Sequence, residues 1–316
     1  MAPSLFIEGA FERKGGNTVN IMSLLQALPG SVAQGLIWGI MALGVYITYK
    51  VLDYADLTVD GSIGTGGAVA VVLMLSGMNP YLALFFAALA GAAAGLVTGI
   101  FHTVLGIPPI LSGILTQLGL YSVNMRIMGA SNRAINVNQY DLIVSLRNIP
   151  AAIIVSIIFV AAVIAILYWF FGTELGRSIR ATGNNENMSR AQGINTNTMK
   201  VLGLILSNAL VGLAGGLYAQ YQGNADVNMG RGAIVIGLAA VIIGGVLFGK
   251  LFHSFALRMC SVVFGAILYF VVIAVVLWLG LETTDLKLVS ALIVALFFAA
   301  PYLKAKSAAR RVGKGE

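Results

Sequence analysis

The chain has 316 residues, of which 59% are hydrophobic and 10% are charged, and its mean hydropathy is +0.91. A soluble domain carries roughly 25% charged residues, so this composition excludes an ordinary soluble protein and indicates an integral membrane protein. The formal net charge of +7 does not indicate nucleic acid binding, because the basic residues are scattered and no stacking aromatics are interleaved with them. The ten-residue alternation of a transmembrane β-barrel is missing from the sequence, so the expected fold is all-α.

The first residues of the chain are unlike the remainder. They are mixed and polar and contain no apolar core followed by a small-residue cleavage site. We interpret residues 1–21 as a leader or an upstream extension, and residues 22–316 as a single transmembrane domain. Apolar runs near the length of about 20 residues that a membrane-crossing helix needs then follow, separated by polar links. We place the spanning segments at about 30–51, 63–77, 80–101, 108–128, 149–171, 201–220, 233–249, 257–279 and 286–303.

Two of these segments, 63–77 and 233–249, are short and rich in glycine. Such segments are typical of broken or re-entrant helices that are supported by neighbouring helices. The predicted fold is therefore an all-α polytopic transmembrane bundle of about 8–10 helices. In the third segment, Gly91, Gly95 and Gly99 recur at helical spacing, which predicts a close packing face between helices.

Lysine and arginine are unevenly divided between the two sides of the predicted bundle. If the N-terminus lies outside, nine crossings place twelve of the 19 basic residues on the cytoplasmic side. The other side keeps five, or seven when the leader is counted. The five are Arg126, Arg133, Arg147, Arg231 and Lys287. Basic residues concentrate in cytoplasmic loops, so this distribution favours an external N-terminus.

Three aspartates, Asp53, Asp56 and Asp60, precede a glycine-rich run in the stretch LDYADLTVDGSIGTGG (52–67). The run fits neither GxxxxGK[ST] nor GxGxxG and offers no lysine for a phosphate, so we reject nucleotide binding. An unpaired aspartate at the bilayer centre costs about 2.5–3.5 kcal/mol, so three together are not expected at that depth. We expect Asp53 and Asp56 in water near the cytoplasmic interface, and Asp60 as the cap of the glycine-rich half-helix.

A long cytoplasmic link, residues 172–200, contains the pattern of a short helix. Asn184 or Asn185 can cap a helix that begins near Glu186 and ends at Gly193. A capped helix in a cytoplasmic loop is suited to docking a partner. A solvated loop without a partner is an equally good interpretation of this pattern.

Residues suited to metal binding or catalysis are few. His102 and His253 lack ligand-like spacing and Cys260 is the only cysteine, so we predict no metal site and no disulfide. The sequence has no Ser, His and Asp arrangement and no pair of intramembrane carboxylates on one helix, so an enzyme is not expected. A secondary transporter would need a coupling carboxylate deep in a helix, and none is evident from the sequence. A membrane scaffold without transport activity is the other alternative class.

Two stretches carry a resemblance to a known family. The stretch GRSIRATGNNENMSRAQGINTNTMKVLGLILSNALVGLAGGLYAQYQG (176–223) is similar to the cytoplasmic loop and following helix of permease subunits in bacterial ABC importers of the branched-chain amino acid and ribose type. The stretch GVYITYKVLDYADLTVDGSIGTGGAVAVVL (44–73) resembles the first helix pair of that family. Within it, the sequence DLTVDGS (56–62) is most similar to a subgroup of the family whose members resemble permeases for tryptophan or other aromatic amino acids. The resemblance covers about residues 30–303.

The resemblance implies a fold like that of type II ABC importers and a place in the bacterial cytoplasmic membrane. It implies a homodimer, surrounded by lipid, that rests on two cytoplasmic ATPase subunits and receives a small solute from an external solute-binding protein. No cofactor is expected on this chain, because ATP and Mg belong to the ATPase. The expected solute is an amino acid, and an aromatic one such as tryptophan from the subgroup alone; another small organic solute stays open.

The resemblance also implies roles for particular residues. The segment from Glu186 to Ile194 would be a coupling helix, seated in a groove of the ATPase. The residues expected to couple to the ATPase are Arg177, Arg180, Asn185, Glu186, Arg190, Gly193 and Ile194. Those expected along the translocation path are Asp60, Gly61, Ser62 and Thr65. The external link 129–148 is expected to dock the binding protein through Asn132, Arg133, Asn136 and Asn138.

Overall fold

The computed structural model describes residues 21–137, 140, 142–249, 254–280, 285, 288–292, 294–296 and 299. In chain order the helices are α1 (Ile21–Tyr46), which continues as a π-helix (Ile47–Val51), α2 (Val59–Leu75), α3 (Pro80–Thr103), α4 (Pro109–Met128), α5 (Ile149–Gly172), α6 (Glu174–Asn184), α7 (Glu186–Ala191), α8 (Thr196–Gln222), α9 (Ala233–Phe248) and α10 (Phe255–Trp278). Strands β1 (Asn132–Ala134) and β2 (Asn224–Asp226) pair antiparallel. The predicted leader up to residue 20, Asn138, His253 and much of the predicted segment 286–303 lie outside the described residues.

The expectation of an all-α polytopic bundle is confirmed. Among the described residues, five helical stretches are long and apolar enough to cross a membrane: Met22–Val51, α3, α5, α8 and α10. The helices α2 and α9 have 17 and 16 residues. At 1.5 Å per residue each is about 25 Å long, which is short of the roughly 30 Å hydrocarbon core. The two segments expected to be broken or re-entrant are therefore the two short helices.

Helix starts in the bundle follow from local chemistry. Pro80, Pro109 and Pro150 lie in the first turns of α3, α4 and α5, where the fixed φ of proline suits the helix and its missing N–H is not needed. Asn79 and Asn148 precede two of these prolines and accept backbone N–H groups of the first turn at 2.9 and 3.2 Å. The links thus determine where each helix enters the bundle.

Helix α8 is the central element, packed against α1, α2 and α3. Glycines permit this close approach. A Cβ added at Gly91 of α3 would overlap the backbone oxygen of Asn208, and one at Gly95 would overlap the α8 backbone one turn earlier. On another side of α8, Gly66 of α2 packs against Gly212 in the same way. The predicted glycine packing face is confirmed, and it brings helix backbones into direct contact.

Aromatic contacts join several helix ends on one side of the bundle. The ring of Phe255, at the start of α10, lies 5.2 Å from the ring of Phe171 and 6.3 Å from that of Tyr46. The guanidinium of Arg180 lies 4.8 Å from the centre of the same ring. This end also carries Lys50, Arg177, Arg190, Lys200 and Arg258. By the distribution of basic residues it is the cytoplasmic end, and the β1–β2 ribbon lies at the external end.

Replacing Gly91 by alanine tests the packing of α3 on α8. The added methyl group has no room beside the Asn208 backbone oxygen, so we expect Gly91→Ala to destabilise the protein by about 1–3 kcal/mol. The matched control is Gly119→Ala in α4, where a Cβ meets nothing within 4 Å. Thermal unfolding in detergent measures both variants. Equal unfolding temperatures for the two would contradict the close contact.

Candidate coupling surface and translocation site

A short helix, α7, is formed in the cytoplasmic link where the sequence predicts it. The side-chain oxygen of Asn185 accepts the backbone N–H of Met188 at 3.0 Å and so caps the first turn. Gly193 terminates the turn with a φ of 81°, in the left-handed region that favours glycine. The N–H of Ile194 bonds back into the helix at 3.0 Å. The predicted start and end of this helix are confirmed.

Glu186 ties α7 to the start of α8. Its carboxylate accepts hydrogen bonds from Arg190 at 2.7 Å and from Lys200 at 2.9 Å. The hydroxyl of Thr196 donates to Glu186 at 3.2 Å and accepts from Arg190 at 2.9 Å. The hydrogen bond from Lys200 is the main reason why the pKa of Glu186 is lowered, and partial burial opposes it. Because Lys200 belongs to α8, this network holds α7 against that helix.

The outward side of α7 combines one apolar side chain with polar ones. Met188 is 62% exposed, and Asn187 and Gln192 beside it are also exposed. The carboxylate of Glu186 is already paired within the chain, so the surface offers no free acidic group. A flexible methionine surrounded by polar side chains is suited to filling a groove on another protein. We call the exposed side chains of Asn187, Met188 and Gln192 the coupling surface.

Two of the predicted coupling arginines are held in place on α6. Arg177 donates from Nε to the backbone oxygen of Gly172 at 3.0 Å. Arg180 lies over the ring of Phe255, a cation–π arrangement. Both arginine side chains remain exposed. They can therefore meet carboxylates of a partner beside the coupling surface without having to be ordered first.

The external link packs against the far end of α8. β1 pairs with β2 so that Asn132 lies opposite Asp226. The side chains of Asn132, Arg133 and Asn136 are exposed, and the Arg133 guanidinium donates to a backbone oxygen at the end of α4 at 3.1 Å. Asn138 lies outside the described residues. The other three residues predicted to dock a binding protein thus lie together at the external end.

The aspartates that precede α2 have different environments. Asp53 is exposed, as expected, and has a φ of 53°. Asp56 is only 2% exposed; it accepts the N–H of Thr58 at 2.9 Å and the Asn208 side-chain N–H at 2.7 Å. The expectation that Asp56 faces water is therefore wrong. A polar side chain in the middle of α8 satisfies this carboxylate inside the protein.

Asp60 caps a different helix from the one in which it lies. Its Oδ2 accepts the N–H of Gly232 at 2.9 Å and its Oδ1 accepts the N–H of Ile234 at 2.8 Å. These are donors at the start of α9, where a negative charge also suits the helix dipole. The expectation that Asp60 caps its own half-helix is wrong, because α2 begins after Thr58 without a side-chain cap. We call Asp60 with Gly232 and Ile234 the α2–α9 junction.

The α2–α9 junction lies near the middle of the bundle's thickness. Ser62, two residues after Asp60, donates to Asn208 at 2.6 Å, and Asn208 is near the middle of the 27-residue α8. From β2 at the external end, the chain runs back into the bundle until Gly230 packs against the backbone oxygen of Asp60. Residues 224–232 are thus a re-entrant segment. The two short helices both begin at mid-depth, one leading outward and one leading to the cytoplasmic end.

Arg231 lies within this re-entrant segment, and its side chain is exposed. The expectation that Arg231 belongs to the external loops is wrong, because its neighbours Gly230 and Gly232 both contact Asp60 at mid-depth. Neither Arg231 nor Asn208 was identified from the sequence as a candidate functional residue. Two signals were available: an asparagine within an apolar helix, and an arginine between glycines just before a short apolar segment.

The other residues predicted along the path lie inside the protein. Ser62 is 0% and Thr65 4% exposed, and Gly61 packs against the backbone of Gln117 in α4. Thr65 donates its hydroxyl to the backbone oxygen of Gly61 at 3.0 Å. In this conformation these residues face neighbouring helices. Their place along the translocation path stays a prediction.

Comparison with known families identifies the chain. The family described as the branched-chain amino acid transport system permease component matches residues 28–301. The chain belongs to this family. It is accordingly an ABC transporter permease of the branched-chain amino acid and ribose type, and an integral protein of the inner membrane. The resemblance seen in the two sequence stretches is confirmed.

Individual relatives agree with this assignment. The permease is 40% identical over 268 residues to the tyrosine transport system permease protein of Clostridioides difficile, which covers 85% of this chain and 89% of the relative. It is 30% identical over 234 residues to the ribose import permease protein RbsC of Escherichia coli, covering 72% and 69%. One chain of the structure of PsaBC from Streptococcus pneumoniae in complex with Fab aligns with a TM-score of 0.52 at 15% identity. That alignment covers 91% of this chain and 100% of the other, and it supports the fold.

Family membership also excludes the secondary transporter, an alternative that the sequence pattern left open. A secondary transporter was disfavoured because no deep carboxylate was evident. The permease does have two, Asp56 and Asp60, so that argument is wrong. Both carboxylates are occupied by hydrogen bonds to the protein's own N–H groups. Membership of the ABC permease family is what separates this chain from secondary transporters.

Replacing Glu186 by glutamine tests the attachment of α7 to α8. Because the folded-state pKa of Glu186 lies below its ordinary value of 4.5, its stabilisation is present above that pH and is lost as the pH falls through the folded pKa. We expect Glu186→Gln to lower stability by about 0.5–1 kcal/mol at neutral pH, and by less near pH 4. Thermal unfolding at the two pH values measures this. The control is the exposed Glu174→Gln; a pH-independent loss at Glu186 would contradict the ionic contact.

Replacing Asp60 by alanine tests the α2–α9 junction. The N–H groups of Gly232 and Ile234 would lose their acceptor, so we expect a destabilisation of about 1–3 kcal/mol. Asp60→Asn keeps one acceptor oxygen and should lose less. The exposed Glu174→Ala serves as control in the same thermal unfolding measurement. If Asp60→Ala unfolds at the temperature of Glu174→Ala, the carboxylate does not hold the two helices together.

Proposed function

We propose that this permease forms the membrane path of an ATP-driven importer for an aromatic amino acid such as tyrosine or tryptophan. A solute-binding protein delivers the amino acid at the external end. ATPase subunits bind at the cytoplasmic end and supply the energy, so ATP and Mg are bound there and not by this chain. A second copy of the permease completes the path. A different small organic solute is the alternative within the same family.

The observation that carries this proposal is the attachment of α7. This helix presents Met188 outward while its Glu186 is bound to Lys200 at 2.9 Å on both carboxylate oxygens. A partner that binds Met188 and moves α7 therefore also displaces α8, through the charge-assisted hydrogen bonds between Glu186 and Lys200. Because α8 packs directly on α1, α2 and α3, a displacement of α7 reaches the centre of the bundle. This is the arrangement that coupling to an ATPase requires.

The choice of solute is supported by similarity. The relative named for tyrosine transport is 40% identical over 268 residues, whereas the ribose permease is 30% identical over 234. The greater identity extends over more of the chain, which favours an aromatic amino acid over a sugar. The resemblance of the stretch 52–67 to permeases for aromatic amino acids also favours an aromatic solute.

The external end and the second copy have separate support. Asn132, Arg133 and Asn136 form an exposed polar surface on and beside the β1–β2 ribbon, which suits contact with a soluble protein. Arg231 supports a second copy, because an exposed arginine at mid-depth needs a neighbour other than lipid. Two copies that meet near this residue would enclose a path between them.

Replacing Met188 by arginine tests docking of the ATPase. The side chain is 62% exposed, so the fold is expected to tolerate the change. An apolar groove in the partner is not expected to accommodate the charged side chain. We expect Met188→Arg to lower retention of the co-expressed ATPase by at least about tenfold. Affinity purification of the membrane complex measures this.

The matched control is Leu105→Arg. Leu105 is 61% exposed in the link between α3 and α4, at the same cytoplasmic end but outside the coupling surface. The control variant should retain the ATPase at the level of the parent. Equal retention by both variants would contradict docking through α7.

A further inference from the structure

Arg231 is a charged, exposed residue at the depth of the α2–α9 junction. It is flanked on both sides by residues in contact with Asp60: Gly230 packs against the Asp60 backbone oxygen, and Gly232 donates to the Asp60 carboxylate at 2.9 Å. Within the described part of the chain, no side-chain hydrogen bond or ion pair involves the Arg231 guanidinium. Its position is fixed by the backbone on either side, while none of the described residues neutralises its charge.

Lipid is not an acceptable environment for this side chain. A guanidinium facing hydrocarbon at mid-depth is strongly disfavoured, and intramembrane arginines face protein or a water-filled cavity instead. Snorkelling to an interface requires a position near a helix end at the membrane surface, and Arg231 precedes a helix that starts at mid-depth. Of these two environments, a water-filled cavity suits Arg231, because no group among the described residues pairs with its guanidinium.

The local charge balance identifies what Arg231 can bind. The positive end of α9 is already occupied by the Asp60 carboxylate, whose two oxygens accept N–H groups of Gly232 and Ile234. Among the described residues, the uncompensated charge at the junction is consequently the guanidinium of Arg231. A planar guanidinium matches the two oxygens of a carboxylate, and a hydrated, exposed pair of this kind is weak enough to release its ligand.

We propose that Arg231 faces the water-filled translocation path and binds the carboxylate of the transported solute as it passes the α2–α9 junction. This rests on the proposed function in one respect, since it takes the solute to be an amino acid. Asp60 is then a positioning residue that holds Arg231 at mid-depth, and Arg231 is the residue that touches the solute. The ligand class is a small organic carboxylate.

Thiol labelling tests whether Arg231 faces water. The parent for this test is Cys260→Ser, which removes the only cysteine, in nanodiscs that contain the ATPase and leave both membrane faces open. Arg231→Cys should react with a charged methanethiosulfonate at least about tenfold faster than Ile158→Cys, because the thiolate forms only in water. Ile158 is the matched control, 61% exposed near the middle of α5. Equal rates would overturn the proposal.

Ligand protection tests the carboxylate contact with Arg231 intact. Val235, four residues further on and 39% exposed, provides the reporter Val235→Cys in the same parent. Millimolar phenylalanine should slow its labelling by about twofold or more, and phenethylamine, which lacks the carboxylate, should not. Adding Arg231→Gln should abolish the protection, and Arg231→Lys should keep part of it. Equal effects of both compounds, or protection that survives Arg231→Gln, would overturn the proposal.

The labelling assays do not depend on ATP hydrolysis, so they separate the two claims. A complex that labels as expected but does not accumulate an amino acid with ATP would contradict the proposed function alone. If the complex transports an aromatic amino acid with ATP, but the Arg231→Cys and Ile158→Cys variants label at equal rates, the role of Arg231 alone is contradicted.

Discussion

The Asp60 carboxylate is the interaction on which the membrane core depends. It lies in α2 and binds the first N–H groups of α9, so it joins two helices that are each too short to cross the membrane. Without this carboxylate, the two N–H groups would lose their acceptor inside the packed protein, at a cost of about 1–3 kcal/mol. Because Gly66 packs on Gly212 and Ser62 bonds to Asn208, the junction is fixed to the central helix.

One continuous helix connects this junction with the coupling surface. α8 begins beside α7, where Lys200 holds Glu186, and passes the junction near its middle, where Asn208 binds Asp56 and Ser62. The contacts of Lys200 are charge-assisted and those of Asn208 are buried, and between these two residues Gly95 of α3 packs directly against the α8 backbone. A displacement of α7 is therefore transmitted along α8 as a rigid helix. The buried polar contacts of α8 determine which neighbouring helices move with α8.

Much of this arrangement could be predicted from the sequence. Apolar runs and glycine content located the long and short helices, and Asn185 with Gly193 fixed the bounds of α7, because these signals are local. The environments of Asp56 and Asp60 could not be predicted, since Asn208, Gly232 and Ile234 lie far away in the chain. The depth of Arg231 could not be predicted either, because it depends on the contacts of its neighbours Gly230 and Gly232 with Asp60. The cost of a lone carboxylate in lipid placed Asp56 in water; the structure satisfies it instead with Asn208, a residue 152 positions later.

The most direct measurement is uptake of radiolabelled tyrosine into proteoliposomes that contain the permease with its ATPase, in the presence of the solute-binding protein. We expect accumulation that requires ATP on the side of the membrane that holds the ATPase, and that is lost with Met188→Arg. Ribose in excess should not compete. Uptake that proceeds without ATP on an ion gradient, or accumulation of ribose and not of an aromatic amino acid, would contradict an ATP-driven importer for aromatic amino acids.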